Sequence, residues 1–319
     1  MDFSIRVCVE GGRVNMVDKP SLTSHHEDST SVQLTEKVRK NPHFLSLLWA
    51  NPKARIGIIM LCFFFAMAIF GPFVAPYSLA DTNFPTSQTP SIVHWLGTTQ
   101  SGQDVLTELL YGARISLFVG FVAGAIVILI AMFVGFVAGY FGGWIDDMLS
   151  LLMNVILVLP GLPLMILIAA YMPSHGIGEI ILVMSITGWA FGGRSLRAQM
   201  LTMVQQDYVI AAKFAGERPL RIIFYEILPN MLSYIVANFF GAVVGAVLAE
   251  AGLEFLGLGN PSITSWGTMI YWAQSSDAML SGQWAWILAP GLCIAGLAAA
   301  LTFVNFGIDA VANPRLQGE

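Results

Sequence analysis

Charge is what this sequence has least of. Asp, Glu, Lys and Arg make up 11% of its 319 residues, against about a quarter in soluble domains, and 56% of the chain is hydrophobic. That balance excludes an ordinary soluble fold and leaves a polytopic membrane protein. Cysteine is nearly absent: Cys8, Cys62 and Cys293 are scattered, without the spacing of a disulfide framework or a zinc site, so no metal is expected. The histidines His25, His26, His43, His94 and His175 lie in tails or loops, so no facing pair could hold a haem within the membrane. Charged groups are missing from the middle of the apolar runs, with Glu179 and Glu250 near run ends; ion- and proton-coupled transporters keep such groups inside for their work. None of the lysines, Lys19, Lys37, Lys40, Lys53 and Lys213, ends a Gly-rich phosphate loop, so the chain cannot cradle a nucleoside triphosphate in that way. No G-x-S-x-G elbow occurs, and Ser174 with His175 is an adjacent pair rather than a nucleophile with its base. The chain is therefore expected not to be an enzyme and to hold no cofactor. Any ATP-derived energy must come from another chain, and nothing points to nucleic acid.

What is there is a set of long apolar runs. A helix needs about 20 apolar residues to cross roughly 30 Å of hydrocarbon, and residues 56–80, 115–145, 148–178, 227–249 and 278–308 each offer that many. A sixth run, 180–193, has only 14 residues between Glu179 and Arg194. Counting it as a span places fourteen of the fifteen Lys and Arg on one side with the amino terminus, and only Arg114 on the other. The positive-inside rule then makes both termini cytosolic. Residues 1–45 are polar, lack the apolar core of a secretory signal, and are expected to be a poorly ordered cytosolic tail. Residues 46–114 read as the first span plus an external segment, and 115–319 as a core of five spans. The segments 77–114 and 254–283 fall outside, each with a net charge of −2, and look like ordered lids. Tyr77, Trp95, Trp266, Tyr271, Trp272, Trp284 and Trp286 read as a rim of interfacial aromatics.

Two patterns of small residues stand out. Gly120 and Gly124, then Gly135, Gly139 and Gly143, are spaced by four, which places them on one helix face for close packing. The charged interruption 194–230 carries five Lys or Arg and, within it, Tyr208, Ala211, Ala212 and Ala215 recur at i, i+3, i+4 and i+7, a small-residue stripe on a short helix. Asp207 is its expected N-cap, and Gly216 followed by Pro219 its stop signal. Such a helix either packs on its own protein or fits the groove of a partner.

The run DYVIAAKFAGERPLRIIFYEILPN resembles the cytosolic coupling motif of permeases of binding-protein-dependent ABC importers, matching at Ala211, Ala212, Gly216, Leu228 and Pro229. HWLGTTQSGQDVLTELLYGARISL, AGYFGGWIDD, AEAGLEFLGLGNPSITSWGTM, ILAPGL and the terminal NPRL narrow the likeness to the second permease subunit of dipeptide and oligopeptide importers, from about Asn41 to the end. The resemblance implies an all-α, six-span permease of the type I ABC importer fold in the inner membrane of a prokaryote. It also implies a second, homologous permease, an extracytoplasmic solute-binding protein, and two cytosolic ABC ATPases that use ATP and Mg. The ATPases would dock on the coupling segment around Asp207, Tyr208, Ala211, Ala212, Ala215, Gly216 and Pro219. The chain departs from the pattern at Ile210, where glutamate is usual, and at Glu226, where histidine is frequent. Thr99, Gln103, Glu108, Leu151 and Asn154 also stand where charged residues of the family are common. Fewer charges near the external mouth leave oligosaccharides beside oligopeptides as the substrate.

Overall fold

The computed structural model describes Trp49, residues 51–173 and residues 176–312, with side chains as far as 308. The expected tail 1–45, Ser174, His175 and the NPRL segment lie outside the described residues. Within them the architecture is helical, and the only strand-like pairing is an isolated bridge between Thr98 and Asp104. The helices are α1 (Pro52–Val74), α2 (Val105–Phe141), α3 (Gly143–Val158), α4 (Gly161–Ala170), α5 (Ile177–Val204), α6 (Asp207–Phe214), α7 (Pro219–Phe255), α8 (Trp266–Ser275) and α9 (Trp284–Ala312).

Four of them, α1, α2, α7 and α9, are long and apolar enough to cross a bilayer. The expected span 148–178 is broken: α3 and α4 meet at an angle of 88°. Pro160 explains the break, because proline removes a helical donor, clashes with the preceding turn and pushes Leu159 into extended backbone. Taken as one bent span, the pair makes a fifth crossing. The short run 180–193 belongs to a helix of 28 residues, but that helix also carries Glu179, Arg194 and Arg197. The interruption 194–230 is thus mostly helical rather than a loop. α5 continues through it to Val204, α6 follows, and α7 starts at Pro219 and passes through a π-helical turn at Ile222–Ile227. Charge ends an apolar run without ending a helix, whose backbone bonds are indifferent to side-chain polarity.

Helix α2 is the centre of the packing, lying chiefly against α5 and α7. A Cβ at Gly124 would approach Val243 of α7 to 2.6 Å, and one at Gly135 would meet the Gly193 carbonyl of α5 at 2.6 Å. Gly120 likewise abuts Val247 and Gly139 abuts Met200. Side chains there would force the helices apart. Gly143 departs from the expected packing face. It opens α3 with φ +57, next to Gly142 at φ +64, and nothing lies within 4 Å of its Cβ position. This pair makes the turn out of α2, since a left-handed backbone strongly favours glycine.

Trp266 and Trp286 are not rim residues. Trp266 is wholly buried, held edge-to-face against Phe64 of α1, and its Nε1 donates to the Leu109 carbonyl at 3.1 Å. Trp286 is also buried, whereas Trp95 and Trp284 are exposed. A ring of this size is among the largest apolar surfaces a chain can bury, and for Trp266 a hydrogen-bond acceptor completes the pocket.

Candidate functional site

Opposite ends of α2, which at 37 residues is about 55 Å long, carry the two groups of candidate residues. At its carboxyl-terminal end sits α6. Eight residues are too few to form a stable helix alone, so tertiary contacts must fix it. Val209 is fully buried in the cluster that holds Ile222, Ile223 and Ile227 of the π turn, a burial that contributes about 1.5–3 kcal/mol. Lys213 lies over the Tyr140 ring, 5.1 Å from its centroid, tying α6 to the last turn of α2.

The helix ends in a Schellman motif. Gly216 N–H donates to the Lys213 carbonyl at 3.1 Å and Glu217 N–H to the Ala212 carbonyl at 3.2 Å, with Gly216 at φ +76, the left-handed geometry this cap requires. Pro219 is the first residue of the next helix, where its missing donor is not needed. Asp207 is not the N-cap. That position belongs to Gln206, without a side-chain bond, and Asp207 sits in the first turn, where its charge still complements the helix dipole. Tyr208, Ala211, Ala215 and Gly216 are exposed, while Ala212 is partly covered. Around them Ile210, Phe214, Leu220, Phe224 and Tyr225 are exposed too, Phe214 at 89%. The short helix therefore presents a small-residue stripe bordered by large apolar side chains.

An ion pair stiffens this end. Arg197 of α5 forks onto Asp146 of α3, with Nη2 2.6 Å from Oδ2 and Nε bonded to Oδ1; Asp146 also accepts from Ser150 at 3.0 Å. Farther along, a cavity of about 480 Å³ opens between α2, α5 and α7. Its walls are small or apolar (Ala131, Gly188, Gly192, Gly241, Gly245) with a few polar groups: Ser195 and the Tyr234 hydroxyl, 2.6 Å apart, Asn238, and Asn305.

The other end of α2 holds what the sequence did not reveal. Glu250 and Glu254 of α7 are buried, and hydroxyls from other elements meet them. Ser116 of α2 donates to Glu250 at 3.1 Å while accepting from the Trp266 backbone N–H at 3.2 Å. Ser265 donates to Glu254 and caps α8 in a box with Thr268. This network locks α2, α7 and α8 together. The acidic residues are spaced by four, which puts both on one face of a helix, but nothing local indicates which hydroxyls would meet them. The segment before α2 is likewise ordered by bonds: His94 Nδ1 lies 2.9 Å from Asp104, which caps α2 through Thr107 N–H, and the His94 ring packs on Tyr77 and Phe84.

Residues 131–318 match the model of the binding-protein-dependent transport system inner membrane component, over half of the chain. The chain belongs to that family of transport permeases. Residues 44–90 of the permease also match the N-terminal transmembrane domain of oligopeptide transport permease C. Among its relatives is the dipeptide transport system permease protein DppC of Bacillus subtilis (strain 168), 38% identical over 275 residues, or 84% of this permease and 83% of that one. The oligopeptide transport system permease protein OppC of the same organism is 35% identical over 271 residues, covering 84% and 87% of the two chains. OppC of Lactococcus lactis subsp. lactis (strain IL1403) is 30% identical over 291 residues, 88% of this permease and 99% of the relative. Among the described residues of the permease no cluster of three or more His, Cys, Asp or Glu could hold a metal.

Proposed function

We propose that this permease is one half of the membrane channel of an ATP-driven importer of dipeptides or oligopeptides. The observation that carries the reading is α6: a short helix, too small to be stable alone, held by Val209 and a Schellman cap, with its small-residue face left open. In this reading α6 is the cytosolic coupling helix and seats in the cleft of one of two ABC ATPases, which bind and hydrolyse ATP with Mg. The rigid connection of α6 to α2 and to the π turn of α7 passes ATPase closure on to the spans. The bent pair α3–α4 and the helix α5 complete six crossings, both termini are cytosolic, and the membrane is the inner membrane of a prokaryote. The cavity between α2, α5 and α7 faces the second, homologous permease and contributes to the path. The segment before α2 and the residues around α8 form the external mouth that receives substrate from a solute-binding protein. Peptide import is favoured over sugar import because the relatives are named for dipeptides and oligopeptides.

Co-purification tests the coupling assignment. Ala211→Arg adds a long cation to an exposed position of the stripe, so the fold should be retained and the ATPases lost. Retention of the ATPases at the wild-type level would remove α6 from the docking surface.

A further inference from the structure

At the amino-terminal end of α2 a second cavity, about 520 Å³, lies between the segment before α2, the residues preceding α8, and Trp286 of α9. Its volume falls in the range of small-ligand sites. Glu108 lines it and is nine-tenths buried. Trp286 is the side-chain hydrogen-bonding neighbour of that carboxylate, although its buried Nε1 falls outside strict hydrogen-bonding geometry. Among the described residues no Lys or Arg contributes to the wall, and the ion pairs are His94 with Asp104, Arg197 with Asp146 and Arg221 with Glu217. Among the described residues Glu108 therefore has no cation partner. The rest of the lining adds acceptors and π faces: the amides of Gln100 and Gln103, the hydroxyl of Thr264, and Trp272. The Trp272 ring is fixed by donation from Nε1 to the Pro261 carbonyl at 3.2 Å.

Burying a carboxylate away from water is costly unless something pairs with it. An anion would meet repulsion here, and a neutral solute would leave the charge uncompensated. A primary ammonium supplies the missing charge, donates to neighbouring acceptors and is attracted by indole faces. We propose that this cavity binds the ammonium end of a short peptide, with Glu108 as its counter-ion. The choice of a peptide rests on the proposed import function.

The full chain in lipid nanodiscs, titrated calorimetrically with trialanine and with N-acetyl-trialanine, tests this. Trialanine should bind saturably, and either acetylation or Glu108→Gln should weaken binding about tenfold or more. Combining the two should add little, because both remove the same pair. If Glu108→Gln does not fold, Thr264→Lys supplies the cation from the wall itself and should abolish trialanine binding. Equal affinity for the two peptides, no saturable trialanine binding, or a Glu108→Gln loss that is the same for both peptides overturns the site; so does undiminished binding by Thr264→Lys. ATP-driven peptide uptake by the assembled importer that persists while these titrations fail sinks only the cavity. Absence of uptake of any peptide by the wild-type assembly sinks the import reading.

Discussion

Replacing Gly216 separates backbone conformation from surface fit. The residue sits at φ +76, and beyond its own chain neighbours nothing lies within 4 Å of where its Cβ would stand. Alanine there is free of clashes, and its penalty is conformational, about 1–2 kcal/mol for an L-residue in the left-handed region. That corresponds to roughly a five- to thirtyfold rise in opening of the α6 cap. The opening is local, as helix ends unfold without the rest of the molecule, so thermal unfolding of Gly216→Ala should scarcely move. Asparagine tolerates this conformation better and should be milder. Tryptophan meets the same backbone penalty and adds a ring where a partner must approach. Substrate-stimulated ATP hydrolysis by the reconstituted importer should therefore fall in the order wild type, Gly216→Asn, Gly216→Ala, Gly216→Trp, with the last abolished. Full stimulation in Gly216→Trp would remove this turn from the docking surface, and equal damage by Asn and Trp would mean that surface fit adds nothing to the backbone penalty.

Further predictions concern the scaffold. Gly135→Ala should destabilise by about 1–3 kcal/mol through overpacking, since its Cβ would lie 2.6 Å from the Gly193 carbonyl. Gly178→Ala, with open space around it, should be neutral or stabilise by up to about 1 kcal/mol; thermal unfolding in detergent that shifts equally for both contradicts the packing argument. A double-mutant cycle of Asp146→Asn and Arg197→Met should give a coupling of about 1–3 kcal/mol, and additive losses would mean the pair is idle. Trp266→Ala should destabilise by about 3–5 kcal/mol, whereas Trp284→Ala, at a position 52% exposed, should change little. Similar effects of the two tryptophan replacements would contradict their assignment to core and surface.

Much of this was legible in the chain. Small residues spaced by four in α2 and the stop at Gly216 and Pro219 follow from helical periodicity and from the backbone needs of glycine and proline, both local properties. Apolar runs locate α1, α2, α7 and α9 but misplace their limits, because a charged residue ends such a run without ending the helix. In α2 the helix begins at Val105, ten residues before the expected span, and encloses Glu108 and Arg114. Pro160 was visible, yet the charge-free run across it read as a single span. Glu250 reads as a span-end residue and Glu254 falls in an external segment, because their partners, Ser116 and Ser265, are far away in sequence or in a turn whose direction only tertiary packing sets. Trp266 and Trp286 read as rim residues for the same reason: an aromatic near a span end has two stable environments, and the neighbouring elements decide between them. The π turn at Ile222–Ile227 has no sequence signal that we can identify.

In the proposed function this permease moves peptides only as part of an ATP-driven assembly. Proteoliposomes containing it with its partner permease and ATPases, ATP enclosed on the ATPase side and a solute-binding protein opposite, measure this directly through accumulation of a labelled oligopeptide. Uptake should require all components and ATP, and should vanish when this chain is omitted. Uptake by this chain alone on an ion gradient, or the same accumulation without it, would exclude that function.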